Sequence, residues 1–353
     1  MPFSLRKKRL FALTSSDTAC YLAEVTKSPM GTAALTIHAR TDAPIMSDVA
    51  VPRLLSTIAN LRGDVSLALP LHLFETLSIS LPTMPDGAIG KALPYHLAKA
   101  INKPLSDCIY DWQVIERQRD RLQILVYLFP AAKFLELRTD FSRKHLEIVR
   151  FEADVFAAFA LLARENRLHQ ESATLCALIW QNSISLAVHE KNLLTLVRTV
   201  SASYPRCAVS PHSASAAHPR AAARTGGNKT GAVDLGEEHN ILADFDILSL
   251  SDQPHRPNDA AEPREPAADT SWADYLQHIS LEIMRTRDYY ASVFKGGAIK
   301  RAVIGGAEPF WQELQHWGRT SLELEMEPLT SLPETADCPP MLQALTIGTG
   351  TRW

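Results

Sequence analysis

The chain has 353 residues, 46% of them hydrophobic and 21% charged, enough to bury a sizeable core and to divide into two domains. A net charge of −3 gives no electrostatic argument for a nucleic-acid partner, and five cysteines without a close pair describe neither a disulfide framework nor a zinc site, which fits a reducing cytoplasm. The longest apolar run, 155–163, is far short of the roughly 20 residues that cross a bilayer, and residues 10–14, after the basic Arg6, Lys7, Lys8 and Arg9, are too few for a signal-peptide core, so a cytoplasmic chain is expected.

Regular elements become legible at 65–69 and 74–81, two strands, the second with Leu77, Ile79 and Leu81 alternating with polar neighbours at a two-residue period. Pro70, Pro82 and Pro85 have no N–H to give a ladder and close these strands. Ile89, Leu93 and Leu97, four residues apart, predict a helix that Pro94 kinks or shortens. Strands follow at 108–115 and 122–129, then a helix over 131–145 with Phe134, Leu135, Arg138 and Phe141 at helical spacing. Residues 146–151 lead back into a larger α/β unit, so the whole stretch reads as an insertion.

Composition then shifts. Residues 201–270 hold seven of the 22 prolines and two aromatics, Tyr204 and Phe245. Such a makeup cannot offset an ordering entropy of about 1–2 kcal/mol per residue, and a mostly disordered linker is expected. Within it, 241–250 is an acidic-hydrophobic patch, readable as a strand of the parent fold or as a docking peptide, while 225–231 lacks the spacing of a phosphate loop. Ser271 and Asp274 then give a capping-box-like start to a helix with Trp272, Leu276, Ile279, Ile283 and Tyr290 on one face. Residues 301–307 are a strand running into the turn Gly305-Gly306, and a helix covers 310–317. Leu322, Leu324 and Met326, alternating with Glu323, Glu325 and Glu327, predict a strand with one solvated face.

These pieces carry a resemblance. Ala68-Leu69-Pro70, the strand ending Leu81-Pro82-Thr83-Met84-Pro85, Asn102-Lys103-Pro104-Leu105 ahead of Asp111-Trp112-Gln113, and a returning helix at 152–162 stand in the first half. The second half adds an Arg/Tyr-rich helix (Arg285, Arg287, Tyr289, Tyr290), the double glycine and a closing helix ending in Arg352. Together they resemble the PilM family, the cytoplasmic actin-like component of type IV pilus assembly. The resemblance implies an α/β, actin-like (ribonuclease-H-like, duplicated) two-domain fold with an inserted α+β subdomain and a long disordered loop. Its expected borders are a first domain at 1–81 with 150–170 returning to it, an insertion at 82–149, and a second domain at 171–353 interrupted by 201–270.

An actin-like ATPase grips phosphates with two β-hairpin turns, each with an aspartate that organises Mg²⁺ or water and a glycine that lets backbone amides approach phosphate oxygens. In the first, 10–25, the resemblance aligns Thr14 with the aspartate, Ser16 with the glycine and Tyr21 with the family's lysine, while Glu24 is kept. In the second, 174–200, Leu178 stands at the aspartate and Trp180 at the glycine. Losing two charged partners worth roughly 1.5–3 kcal/mol each lowers affinity by on the order of 10² to 10⁴. Trp180 adds bulk where phosphates would sit. A pseudo-ATPase is therefore expected, with no cofactor, no metal, ATP and Mg²⁺ disfavoured, and Ser15, Ser16, Asp17, Gly305 and Gly306 as the remnant of a nucleotide site. Asp17 replaces the lost acid if the loop slips by three residues, and the simpler reading of the glycines is that the turn and close helix packing need them. No catalytic motif stands out, and His72, His96, His145 and His316 are dispersed.

What remains is an adaptor. The resemblance implies a groove between the actin-like core and the insertion that receives the cytoplasmic N-terminal tail of a PilN-like membrane protein. Such a partner would hold the chain peripherally at the inner membrane, among the other assembly-platform proteins. Asp111, Trp112 and Gln113 are the partner-binding candidates. The competing class is a nucleotide-binding actin-like ATPase or switch, because fold does not fix function. Within the adaptor class, MSHA-pilus proteins of the MshI type and the cytoplasmic domain of type II secretion L-type proteins share the degeneracy. The latter carry a membrane span that this sequence does not show.

Overall fold

Residues 9–27, 33–58, 61–168, 172–203, 205, 271–293, 298–330 and 338–350 are described by the computed structural model. Residues 206–270 of the expected linker, with their 225–231 and 241–250 segments, lie outside the described residues, as do Arg6, Lys7, Lys8 and Arg352. The chain opens with an antiparallel meander of β1 (Arg9–Ser15), β2 (Cys20–Lys27) and β3 (Ala33–Thr41). Parallel strands need a crossover rather than a tight turn. Accordingly α1 (Ala50–Ser56) intervenes before β4 (Gly63–Leu69), which pairs in parallel with β1, Leu13 opposite Leu67.

The insertion follows: β5 (Glu75–Pro82), α2 (Asp86–Ala100), β6 (Cys108–Arg117), β7 (Arg121–Pro130) and α3 (Ala131–Arg143). Its sheet is antiparallel in the order β5-β7-β6. Ile89, Leu93 and Leu97 are fully buried and pack with Ile79, Leu81, Ile124 and Val126, giving the insertion its own core. Pro94 does not shorten α2, which runs on to Ala100. The carbonyl that its missing N–H would have taken belongs to Gly90, which is exposed and can turn to water. In α3 the buried residues are Leu137 and Phe141, whereas Leu135 is 62% exposed.

Sheet membership draws the borders differently from the sequence. β5 pairs with β7 from Glu75 to Pro82, so the insertion opens at 75 rather than 82. β8 (Leu146–Ala153) already pairs in parallel with β4, Leu146 opposite Gly63, so 146–149 belong to the first sheet. That sheet has the order β3-β2-β1-β4-β8, and the returning helix, α4 (Asp154–Arg164), begins at 154 rather than 152.

The second half repeats the first. β9 (Thr174–Ile179), β10 (Ser183–Glu190) and β11 (Leu193–Ser201) form the meander, and α5 (Trp272–Val293) stands before β12 (Arg301–Gly305). Then come α6 (Trp311–Ser321), β13 (Glu325–Pro328) and α7 (Pro340–Thr349). The order β11-β10-β9-β12-β13 matches the first sheet strand for strand, with α6 where the first half carries its insertion. β13 is shorter than the alternation predicts because Glu323 adopts φ 51°, outside the extended range, although Leu322, Leu324 and Met326 are all buried.

α1 and α3 cover the outer face of the first sheet, and α5 and α6 that of the second. Between the sheets lie α4 and α7, apolar nearly all round, as a helix enclosed on every side must be. Their backbones touch: a Cβ at Gly348 would sit 2.0 Å from the Ala157 carbonyl oxygen, so this crossing requires glycine. The α5 cap forms as its sequence predicts, with the Asp274 N–H bonded to Ser271 Oγ at 3.2 Å. Its Arg/Tyr residues serve the fold. Arg285 pairs with the buried Glu282 at 2.7 Å, Arg287 donates to the Leu322 carbonyl at 2.9 Å, and the Tyr290 hydroxyl donates to Glu190. Among the described residues no helix is long and apolar enough to cross a membrane, and no cluster of metal-ligating side chains occurs.

Candidate functional site

Two places answer to the sequence reading: the cleft where the β1–β2 and β9–β10 turns meet, and a groove beside the insertion. At the first turn, Thr14 is fully buried and its hydroxyl lies 2.9 Å from that of Thr346 on α7. Ser15 is buried, donates to the Ser16 carbonyl at 3.0 Å and accepts the Ile45 N–H at 3.4 Å. Ser16 folds its hydroxyl onto the turn, accepting the Ala19 N–H at 2.9 Å. Tyr21 lies buried under the Arg40 guanidinium, 5.5 Å from the ring centre, and Glu24 is held by Arg9 at 2.9 Å. The Thr14, Ser15, Ser16 and Glu24 polar groups are thus occupied by the protein itself.

Asp17 reaches across the cleft. Its Oδ2 accepts the Asn182 N–H of the second turn at 2.8 Å, and its Oδ1 lies 3.5 Å from His72 Nε2. His72 in turn meets Ser183 Oγ at 3.0 Å through Nδ1. Burial holds the His72 imidazole below its usual range, more than the Asp17 charge raises it. A neutral ring with its proton on Nε2 serves both partners, accepting from Ser183 and facing Asp17. The two turns that would flank a phosphate are thus fastened to each other. The Asn182 N–H donates the hydrogen bond that joins them, and His72, one of the dispersed histidines in the sequence, packs beside it on Ser183.

Behind the second turn, Trp180 is 4% exposed and donates through Nε1 to Asp154 Oδ2 at 2.7 Å. Ser185 Oγ donates to the same oxygen at 2.9 Å, and the Val155 N–H to Oδ1 at 2.7 Å. Asp154 is 1% exposed, and burial pushes its carboxyl up to about 6 although four donors, including the Leu71 backbone, pull it down. Sequence reasoning missed Asp154 because the helix was started two residues early. An acid just before the apolar 155–163 run is the signal of a helix N-terminus that would have marked it.

Leu178 is fully buried in β9. Gly305 and Gly306 pack against this hairpin: a Cβ on Gly305 would meet Met341 Sδ at 3.0 Å, and one on Gly306 would lie 2.2 Å from the Ile179 carbonyl oxygen. Gly306 also has φ +80°, in the left-handed region. Gly306→Ala should therefore cost about 1–3 kcal/mol in backbone conformation, plus the clash, read as a lower urea midpoint. Gly305→Ala should cost less, because Met341 is a flexible side chain that can give way.

The groove lies between β6, an edge of the insertion sheet, and β8, an edge of the first sheet. It encloses about 380 Å³. Phe74, Phe129, Phe134 and Phe151 floor it, their rings packed with centroids 4.8 to 5.6 Å apart. Asp111, Trp112 and Gln113 all line it, together with Arg150 and Glu152. Trp112 also packs with Tyr110 and Val114 on the insertion's own core, the opposite face of β6. Gln113 Nε2 donates to the Leu194 carbonyl of β11 at 2.7 Å, tying the insertion to the second half. Burial pushes the Glu152 carboxyl up, partly offset by a 2.7 Å hydrogen bond from Thr349 and by the Arg150 charge. The four phenylalanines come from four separate segments, so no local pattern announces them.

No family model matches the sequence, and no curated protein does. Among solved structures, a chain of the PilM-PilN type IV pilus biogenesis complex aligns over 97% of this chain and 97% of its own, with a TM-score of 0.58 and 14% identity. The cytoplasmic domain of EpsL, an inner membrane component of the type II secretion system of Vibrio cholerae, covers 55% of this chain and 71% of its own, at a TM-score of 0.38 and 13% identity. Ethanolamine utilization protein EutJ from Carboxydothermus hydrogenoformans covers 98% and 90%, at a TM-score of 0.42 and 10% identity. Two halves of matching topology, an insertion after the fourth strand and near-complete alignment with the first of these structures give the chain a PilM-like, actin-like fold, divergent in sequence.

Proposed function

We propose that this chain is an adaptor of the inner-membrane assembly platform of a type IV pilus, or of a related MSHA pilus. In this reading it receives the extended N-terminal tail of a PilN-like membrane protein in the groove between β6 and β8 and does not hydrolyse ATP. The observation that carries the reading is the groove itself: an aromatic floor bounded by two strand edges that no described strand pairs, in a fold that aligns with 97% of a PilM-PilN complex chain. An extended peptide gains main-chain hydrogen bonds at such an edge and places alternate side chains in the pocket. The cleft supports the second clause. Thr14 is committed to Thr346, Asp17 to Asn182, and the Trp180 indole is buried against Asp154.

Calorimetry on the full chain tests both clauses. A synthetic peptide copying the N-terminal cytoplasmic tail of a PilN-like membrane protein should bind with micromolar affinity, and Mg-ATP should give no binding heat below about millimolar. Tight Mg-ATP binding with phosphate release would replace this reading with a nucleotide-driven switch of the same fold.

A further inference from the structure

Within the docking groove, Asp111 holds a main-chain donor of the edge strand. Its Oδ1 accepts the N–H of Trp112 at 2.8 Å. An amide inside the β6–β7 ladder gives its proton to a β7 carbonyl. Trp112 gives its proton to the carboxylate, so this N–H faces the open edge, beside the cavity that residues 109–113 line. A strand added to β6 has to take that amide with one of its own carbonyls. The peptide carbonyl and the Asp111 carboxylate therefore compete for a single proton.

The carboxylate that loses it is left beside a carbonyl oxygen, both electron-rich, and needs a new donor. The opposite wall offers none that is unopposed, since Arg150 there acts on the buried Glu152 carboxyl. Asp111 itself has no ion-pair partner among the described residues, although it is exposed at the lip. A charge at a free strand edge also discourages pairing with whatever strand happens to pass. Resting on the docking reading above, we propose that Asp111 is the specificity-determining residue of the groove: it yields the Trp112 amide to an incoming strand and demands in exchange a lysine or arginine side chain of that strand. The selected partner is then a peptide with apolar side chains for the phenylalanine floor and a basic one at the register position beside Asp111.

The probe is the synthetic tail peptide, made as two sets in which each position in turn is lysine or glutamate, titrated into the full-length chain and its Asp111→Asn and Asp111→Lys variants. Equal thermal midpoints establish that the variants fold, as the exposed position predicts. For the wild type, one position should favour lysine over glutamate by about tenfold or more. That ratio should fall to near unity in Asp111→Asn and invert in Asp111→Lys. Peptides that bind all three proteins with the same lysine-to-glutamate ratio at every position would overturn the role of Asp111 while leaving the docking reading intact. Failure of the wild type to bind any member of either set would overturn the docking reading and this inference with it.

Discussion

Replacing Asp154 with alanine should lower the stability of the folded chain by about 3 kcal/mol at pH 7. The side chain is fully enclosed and accepts from Trp180 Nε1, Ser185 Oγ and the Val155 N–H. Each donor left unsatisfied costs about 1–3 kcal/mol, and relief from burying a charge returns part of the sum. The pH dependence separates the two contributions. The folded carboxyl titrates at about 6, above its usual range near 4, so between these values the folded state holds a proton that the unfolded state has released. Stability from this group is therefore full below about pH 4 and is lost as pH rises to about 6, by roughly 3 kcal/mol. His72 and His189 act oppositely: burial lowers both, so their contribution is lost as pH falls below the usual histidine range. Subtracting the urea-unfolding curve of Asp154→Ala from that of the wild type, pH by pH, isolates the carboxylate. A difference that does not change across pH 4 to 6 would refute the assignment.

Placing a charge in the aromatic floor should abolish docking. Phe134 is half-buried on α3 and packs on Phe151 with ring centroids 5.1 Å apart. In Phe134→Glu, a peptide side chain entering the groove would have to desolvate an unpaired carboxylate, which costs several kcal/mol. Affinity for the tail peptide is expected to fall by about a hundredfold or more. The adjacent Leu135 is 62% exposed and points away, so Leu135→Glu should bind as the wild type does. Calorimetry of the two variants side by side decides the matter, because both carry the same new charge on the same helix. Equal losses would mean a general electrostatic effect and no binding groove here.

Where residue class alone decides, the sequence was informative. The two-residue alternation of Leu77, Ile79 and Leu81, the four-residue spacing of Ile89, Leu93 and Leu97, and the cap at Ser271 all specify local backbone, and each element formed. The alignment of Thr14 and Leu178 with the aspartates of the two turns is what the resemblance implies, and it needs residue identity alone. Borders were less legible. Whether 74–81 belongs to the first domain or to the insertion depends on which strand it pairs with, and that partner, β7, lies more than forty residues away.

Sequence by itself determined most of the strands and helices and the apolar faces of α2 and α5, because these follow from side-chain chemistry and from spacing along a few turns. Tertiary structure alone decided that Asp17, His72, Asn182 and Ser183 close the cleft, that Trp180 rests on Asp154, and that Phe74, Phe129, Phe134 and Phe151 make one floor. These contacts join residues up to about 165 positions apart. Their geometry is fixed by how two sheets and an insertion pack, which no local periodicity encodes.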